Sequence, residues 1–427
     1  MPHPPARLLA AEGGPLPRAS ERRYASALVA LLVFHVWLGV AYAAKTPLWQ
    51  NPDEPAHFNY AREVAQTGGL PELKPGDWDS ALLERLKTAQ LQPGDTIDAI
   101  RYEAWQPPLY YLIAAQAMRF APQDLATEVR VLRTLDVLLG AATLVLGYAI
   151  GRQLFADNRW LALAVPLAMA GVPMFSSVSA SVSADPLANL LAGAVLWTVL
   201  RGLTRTSGVL LGLGLLTKLA LGVFVPLALL GLARRLQDVA ALLLVPLVLL
   251  TPWLVHQVAT YGWLDPFALS RHADVVQDQP RFPGLSPVYA GAFAVTTFHS
   301  FWAQFGWMAI PAPDRLYWTW GAICLLALAG LLRLGLRGQP ASPRWLLVGA
   351  TILLAAVAYV VYNLAFLQFQ GRYLFIALAP ICALLVRGWS ALLPGRLAAP
   401  GALSVGLMLA LLNVYTLGRV LEPGFGG

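Results

Sequence analysis

The segment Asn51-Pro52-Asp53-Glu54-Pro55-Ala56-His57-Phe58 packs two carboxylates, an imidazole and two prolines into one short stretch. Pro52 and Pro55 predict a helix start, because proline suits the first helical turn and acids there are favoured by the helix dipole. On such a helix Asp53 and His57 share a face, and Arg62 follows within two turns. One reading is a capped helix end with solvated acids. The other makes Asp53, with Glu54 beside it, a carboxylate general base. Asp53 and His57 would also be half of a metal site, but two ligands are too few to assign one.

A second polar stretch is Tyr102-Glu103-Ala104-Trp105-Gln106-Pro107-Pro108-Leu109-Tyr110-Tyr111. Its proline pair ends an extended run and opens a short helix. Trp105, Tyr110 and Tyr111 suit the aromatic belt of a membrane interface. Glu103 and Gln106 have no such explanation and are expected to line a polar site, with Tyr110 beside them. Three further charges stand at the ends of apolar runs: Asp185 in Ser183-Ala184-Asp185-Pro186, Lys218 after Leu216-Thr217, and Arg372 in Phe369-Gln370-Gly371-Arg372-Tyr373. An ionisable residue such as Lys218 in an apolar stretch costs at least about 2.5–3.5 kcal/mol on insertion scales, so it needs a polar cavity and a partner. Lys218 can instead snorkel, and Arg372 can instead anchor at the interface. Together the two cations and the carboxylates describe a site that holds an anion beside a base. Phosphate is the natural anion, since both Lys and Arg bind it well. Arg62 is a third candidate for that role, and Trp302, Gln370 and Tyr373 are expected to line the site. The chain has no Walker loop, Rossmann glycine fingerprint, HExxH or GxSxG. Nucleotide hydrolysis and zinc proteolysis are therefore unsupported.

The elements that must position these residues are membrane helices. Of 427 residues, 57% are hydrophobic and only 12% charged, against about 25% charged in soluble domains. Such a chain cannot cover a water-facing surface. Eleven apolar runs follow: Tyr24–Ala43, Arg130–Ile150, Arg159–Ser177, Pro186–Leu200, Ser207–Thr217, Leu219–Ala233, Asp238–Val258, Leu316–Leu332, Trp345–Leu367, Tyr373–Arg387 and Pro400–Gly418. Four are shorter than the range of about 17–25 residues that spans a bilayer. The first is too long for the apolar region of a signal peptide and reads as an uncleaved anchor. Ser207–Ala233 is expected to turn back at Lys218. With the N-terminus inside, every short inner loop is basic: Arg152 and Arg159, Arg201 and Arg205, Arg234 and Arg235, Arg333, Arg337 and Arg344, then Arg387 and Arg396. That is the positive-inside pattern. The net charge of +7 therefore records topology, and no nucleic-acid partner is expected. Cys324 and Cys382 both lie in apolar runs, so no disulfide framework is implied.

The order and sidedness of these motifs resemble the GT-C superfamily of membrane glycosyltransferases. The features are an acidic pair after the first span, a surface helix opened by Gln-Pro-Pro-Leu-Tyr-Tyr, a Ser-x-Asp-Pro outer turn, a Thr-Lys between short spans, and a late Gln-Gly-Arg-Tyr-Leu. Within it the chain is similar to the protein O-mannosyltransferase and aminoarabinose transferase branch. It looks closer still to bacterial relatives of unassigned substrate, which share Pro-Asp-Glu-Pro-Ala-His-Phe and the Ser-Phe-Trp-x-x-Phe-Gly-Trp stretch at Ser300–Trp307. The resemblance implies an all-α polytopic GT-C-like protein of about 11 transmembrane helices, with surface helices in the first outer loop. It divides the chain into a cytoplasmic tail (1–23), a catalytic transmembrane module (24–258, including outer loop 44–129), a second outer loop (259–315) and C-terminal helices (316–427). It implies sugar transfer from a polyprenyl-phosphate donor to a glycan, lipid or protein acceptor. The site would lie on the outer face of the bacterial plasma (inner) membrane. Asp53 matches the proposed base, Glu54 the second acid and Asp185 the outer-turn aspartate. Lys218 and Arg372 match cations that would hold the lipid phosphate. No cofactor is expected at first, with a divalent metal the alternative. No large soluble C-terminal domain like that of oligosaccharyltransferases follows the last span, which leaves the acceptor open.

The residue chemistry fits independently. Inverting transfer needs one carboxylate to activate the acceptor hydroxyl, while a phosphate leaving group needs cations and no acid. A retaining mechanism would want a second carboxylate about 5–5.5 Å away, and adjacent Asp53 and Glu54 point different ways on a helix. The rival reading is a lipid or solute transporter or flippase with Lys218 and Asp185 as midplane charges. It lacks the inverted repeats common in transporters.

Overall fold

The computed structural model describes residues 18–88, 95–122, 124–339 and 341–426. Residues 1–17 of the expected tail, and Gly427, lie outside them. The described chain is almost wholly helical. Helix α1 (Arg18–Lys45) is followed by three short helices in the first long loop, α2 (Glu54–Thr67), α3 (Ser80–Lys87) and α4 (Leu109–Arg119). Then come α5 (Leu125–Leu154), α6 (Arg159–Ala170), α7 (Pro173–Ser179), α8 (Asp185–Arg201), α9 (Thr204–Leu215), α10 (Phe224–Leu232) and α11 (Leu236–Tyr261). The second long loop holds α12 (Leu269–Val275), α13 (Pro287–Trp302) and a small antiparallel pair, β1 (Gln304–Phe305) with β2 (Ile310–Pro311). The chain ends with α14 (Asp314–Leu336), α15 (Pro343–Asn363), α16 (Leu378–Leu392) and α17 (Gly395–Thr416). Polar caps set several starts. Asp79, Asp124, Asn158 and Ser286 accept the N–H groups of Leu82, Thr127, Trp160 and Tyr289 at 2.8, 2.9, 3.1 and 3.0 Å, which satisfies first-turn donors that have no partner within the helix.

Among the described residues, seven helices are long and apolar enough to cross a membrane, or eight if α6 and α7, bent by 70° at their junction, count as one. The other expected spans are the short ones. Helix α8 has 17 residues, about 26 Å at ~1.5 Å per residue. The run Ser207–Ala233 is broken as its Lys and glycines suggest: α9 stops at Leu215, a 3-10 turn covers Leu219–Val223, and α10 follows. The chain does fold back. Lys218 meets Asp185 at the start of α8, while a Cβ on Gly231 would lie 2.7 Å from Val199 near its end. The second long loop, expected as a connection, is helical over α13. Its Pro- and aromatic-rich sequence hides a capped helix of 16 residues.

The inner loops assigned from their arginines share one end of the bundle. Arg344 Nη1 reaches the Gln153 carbonyl at 2.9 Å, Arg333 Nη1 that of Leu392 at 2.9 Å, and Arg159 pairs with Glu21 at 3.2 Å. Close crossings lock the helices. Gly330 and Gly388 let α14 and α16 touch backbone to backbone, since a Cβ on Gly330 would stand 1.8 Å from the Gly388 carbonyl. The last helix closes the ring onto the first. Tyr42 donates to Asn413 Oδ1 at 2.8 Å, and Asn413 Nδ2 donates to the Ala170 carbonyl at 2.8 Å and to Ser176 Oγ at 2.9 Å.

Candidate active site

Four separate elements bring Asp53, Asp185, Lys218 and Arg372 together at the end of the bundle opposite those arginines. Asp53 precedes α2 with φ 66°, in the left-handed region that costs a non-glycine residue about 1–3 kcal/mol. Its carboxylate does not cap α2. It turns away instead, so that Oδ1 accepts from the Tyr102 hydroxyl at 2.8 Å and Oδ2 pairs with Arg372. The geometry replaces the capping reading with an ion pair across the site. Arg372 Nη1 also lies 3.8 Å from Asp185 Oδ2, and Lys218 pairs with Asp185 Oδ1. Both cations sit by the Tyr373 ring, at 5.7 Å for Lys218 Nζ and 5.5 Å for Arg372 Cζ, in the range of a cation–π contact.

Local sequence explains how each charge is held. Gly371 allows α13 to approach: a Cβ there would stand 2.3 Å from the Thr297 carbonyl oxygen. The Gly371 N–H donates to Ser300 Oγ at 2.7 Å, and Arg372 Nε donates to Gln370 Oε1 at 2.6 Å. The serine-rich turn before Asp185 is pinned from two sides. Val182 N–H donates to Glu54 Oε1 at 3.2 Å and Ser183 N–H to Asp136 Oδ2 at 3.3 Å. Asp185 N–H then donates to Ser183 Oγ at 3.1 Å.

Three more groups share the field of this cluster. Burial, followed by the Lys218 and Arg372 charges, outweighs Asp53 and Asp185 and holds His57 down to about 4, so it is neutral near pH 7. Its Nδ1 lies 2.8 Å from the Tyr111 hydroxyl. Burial pushes the Glu103 carboxyl up to about 7, with Asp53 adding to the effect. Burial would raise Asp53 too, but Arg372, His57 and the Tyr102 hydrogen bond outweigh it and hold the carboxyl below the usual range. Among the described residues, no group of three or more His, Cys, Asp or Glu side chains is arranged to hold a metal ion.

A family model described as "Predicted membrane protein (DUF2142)" matches residues 74–382. The chain belongs to that family. No curated protein matches its sequence. Among solved structures, this DUF2142 chain is similar to ArnT from Cupriavidus metallidurans bound to undecaprenyl phosphate. The TM-score is 0.53 at 16% identity, over 92% of this chain and 73% of ArnT. It is also similar to the archaeal oligosaccharyltransferase AglB from Archaeoglobus fulgidus, in complex with an inhibitory peptide and a dolichol-phosphate. There the TM-score is 0.53 at 14% identity, over 96% of this chain and 56% of AglB. The chain thus spans a little over half of AglB's length. The all-α, GT-C-like polytopic fold expected from the sequence is the fold observed, and these neighbours are GT-C glycosyltransferases.

The DUF2142 structure places the remaining sequence candidates unevenly. Gln106 and Gln370 stand within the site, next to Glu103 and Arg372 respectively. Glu54 does not face it. Both its oxygens accept from Arg133, at 2.8 and 2.7 Å, and also from Trp49 N–H at 3.1 Å. Arg133 in turn donates to the carbonyls of Ala43, Thr46 and Pro47. Glu54 therefore joins α1, α2, α5 and the Asp185 turn. Tyr110 lies behind the site, donating to Asp136 Oδ2 at 2.7 Å. Trp302 is buried against Trp320 at 5.4 Å between ring centroids and packs rather than lines. Arg62 is not brought in: it donates to Asn59 Oδ1 at 2.9 Å and pairs with Asp98 at the surface. Tyr102, Arg133 and Asp136 were missed, as was Tyr362, whose ring stands 5.6 Å from that of Tyr373. Arg133 and Asp136 carried a usable signal, being ionisable residues inside an apolar run.

Arg133 and Glu54 are 3% and 0% exposed, and removing one partner of such a pair strands the other charge, at about 3–5 kcal/mol. Arg133→Ala should therefore lower the melting temperature sharply. A wild-type melt would show that the pair carries no structure.

Proposed function

We propose that this DUF2142 protein transfers a sugar from a polyprenyl-phosphate-linked donor to an acceptor hydroxyl, with inversion. The observation that carries the reading is the Asp53–Arg372–Asp185–Lys218 cluster. It sets two cations able to hold a phosphate next to a carboxylate kept ionised. ArnT and AglB, which share the fold, were solved with undecaprenyl phosphate and a dolichol-phosphate; that ligand class is carried across to this chain. The acceptor hydroxyl bonds to Asp53, and the O–H proton begins to move to the carboxylate. The acceptor oxygen forms a bond to the anomeric carbon as the bond from that carbon to the phosphate oxygen breaks. Lys218 and Arg372 take up the charge on the leaving phosphate, so no acid is needed. Glu54, committed to Arg133, acts as a positioning residue.

The test is incubation of purified protein in nanodiscs with a panel of polyprenyl-phosphate-linked monosaccharides and membrane-envelope acceptors, measuring free polyprenyl phosphate and glycosylated product. Donor turnover with product supports the reading. Transbilayer movement of the intact donor without turnover would favour a flippase instead.

The site belongs on the outer face, with the N-terminus cytoplasmic. The arginine-rich end of the bundle supports this, because short cytoplasmic loops retain Lys and Arg. Single cysteines at Glu72 and Gln277, both exposed, should react with an impermeant maleimide from outside intact cells. One at Arg337 should react only after lysis. The opposite pattern inverts the topology.

A further inference from the structure

Glu103 is the one carboxyl of the cluster not spoken for. Asp53 has Tyr102 on one oxygen and Arg372 on the other, and Asp185 is paired with Lys218 and Arg372. Glu103 has the Gln106 side chain nearby, yet its Oε2 is buried with no partner among the described residues. Two residues along the same segment, Trp105 Nε1 is likewise buried without a partner. Unsatisfied buried polar atoms are rare in folded proteins, and each asks for an explanation such as a missing ligand or a catalytic role. An acceptor left open beside Asp53 fits a polar substrate that enters there, while the open Trp105 donor lies on the His272 side of the same segment.

We infer that Glu103 is the final proton acceptor of the reaction, receiving from Asp53 the proton that the acceptor hydroxyl gives up. The inference rests on the transferase reading above and adds the fate of its proton. The balance is simple. The O–H bond of the acceptor breaks, its electron pair goes to the anomeric carbon, and the carbon–phosphate oxygen bond breaks with its pair to the phosphate. The proton passes through Asp53 to Glu103 and then to water, leaving both carboxylates as they began. Asp53 is suited to guiding the proton but not to keeping it, since Arg372 and Tyr102 stabilise its ionised form. Glu103 is suited to keeping it. The titratable groups close enough for their charges to act on it or feel it are Asp53, Asp185, Lys218, Tyr102, Tyr111 and Tyr362, and burial together with Asp53 raises its proton affinity. A base whose affinity lies near the working pH is the efficient one.

The experiment pairs two readouts on wild type and Glu103→Gln in nanodiscs. The first needs no activity. A carboxyl whose folded pKa is raised above its unfolded value stabilises the fold at low pH and loses that contribution as pH rises through about 7. The melting temperature of E103Q should therefore gain on wild type between pH 5 and pH 8. A constant difference across that range overturns the inference. The second is the pH–rate profile with whichever polyprenyl-phosphate sugar the wild type turns over. The wild-type rate should rise with pH to a plateau above about 7. E103Q should be slower by about 10²–10⁴-fold on the plateau and lack that limb, with the donor KM unchanged. Glu103→Asp should restore part of the rate and the limb. A Gln variant that keeps both rate and limb overturns the inference. If wild type turns over no donor while the melting gain is present, the transferase reading fails and the titration of Glu103 stands.

Discussion

If the proposed transfer is the reaction, Asp53→Asn should leave a folded protein that still binds polyprenyl phosphate but transfers sugar about 10²–10⁴-fold more slowly. The amide keeps the shape of the side chain and can still accept from Tyr102. It cannot take a proton, and it gives up the ion pair with Arg372. The measurement is single-turnover transfer at saturating donor, with folding checked by melting and donor binding measured in parallel. Because Asp53 is held below the usual carboxylate range, it stays ionised through neutral pH, and the wild-type limb near pH 7 is not its own. Near-normal transfer by the Asn variant would remove Asp53 from the proton path.

Arg372→Ala and Lys218→Ala should weaken binding of undecaprenyl phosphate by about 30-fold to several thousand-fold. That corresponds to the roughly 2–5 kcal/mol lost when one partner of a buried charged contact is removed. The two should differ in kind. Arg372 touches both Asp53 and Asp185, whereas Lys218 touches Asp185. Losing Arg372 therefore also relieves Asp53 of the charge that lowers its pKa, and its variant should change the pH profile as well as affinity. Arg372→Lys should recover only part of the binding, because one ammonium cannot serve two carboxylates and a phosphate as a planar guanidinium can. Wild-type affinity in both alanine variants would place the phosphate elsewhere.

Asp185, Lys218 and Arg372 were legible in the sequence for one physical reason: each is a charge abutting an apolar run, where it must be paired or be functional. Asp53 was legible from the proline-flanked acidic motif that follows the first span. The direction each faces was not legible. The left-handed backbone at Asp53 leaves no glycine to mark it, yet it is what separates Asp53 from its neighbour Glu54. Arg62 sits one helical turn past the motif, and nothing in its spacing says that it faces Asp98 and solvent. Trp302 looked like a lining aromatic because an aromatic-rich loop was expected where α13 stands. Arg133 and Asp136 were passed over because thirty residues of apolar helix absorb two charges without losing their average. Most spans were visible from length and hydropathy. The shortness of α8 to α10 was visible in the lengths of their runs, whereas the bend between α6 and α7 depends on neighbours far along the chain, which no local window contains.

The clasp between the last helix and the first bears on how the protein is made. Asn413 completes hydrogen bonds to Tyr42, to the Ala170 carbonyl at the α6–α7 bend and to Ser176, and Lys45 pairs with Glu422 nearby. Ribosomes deliver α17 long after α1, α6 and α7. Until it arrives, the bend just ahead of the Asp185 turn holds polar groups that lipid cannot satisfy. Assembly of the end that holds Asp53 and Asp185 therefore waits on translation of Asn413, far downstream. A nascent chain stopped before Gly395 would be integrated yet unfinished, which makes it a ready target for membrane quality control.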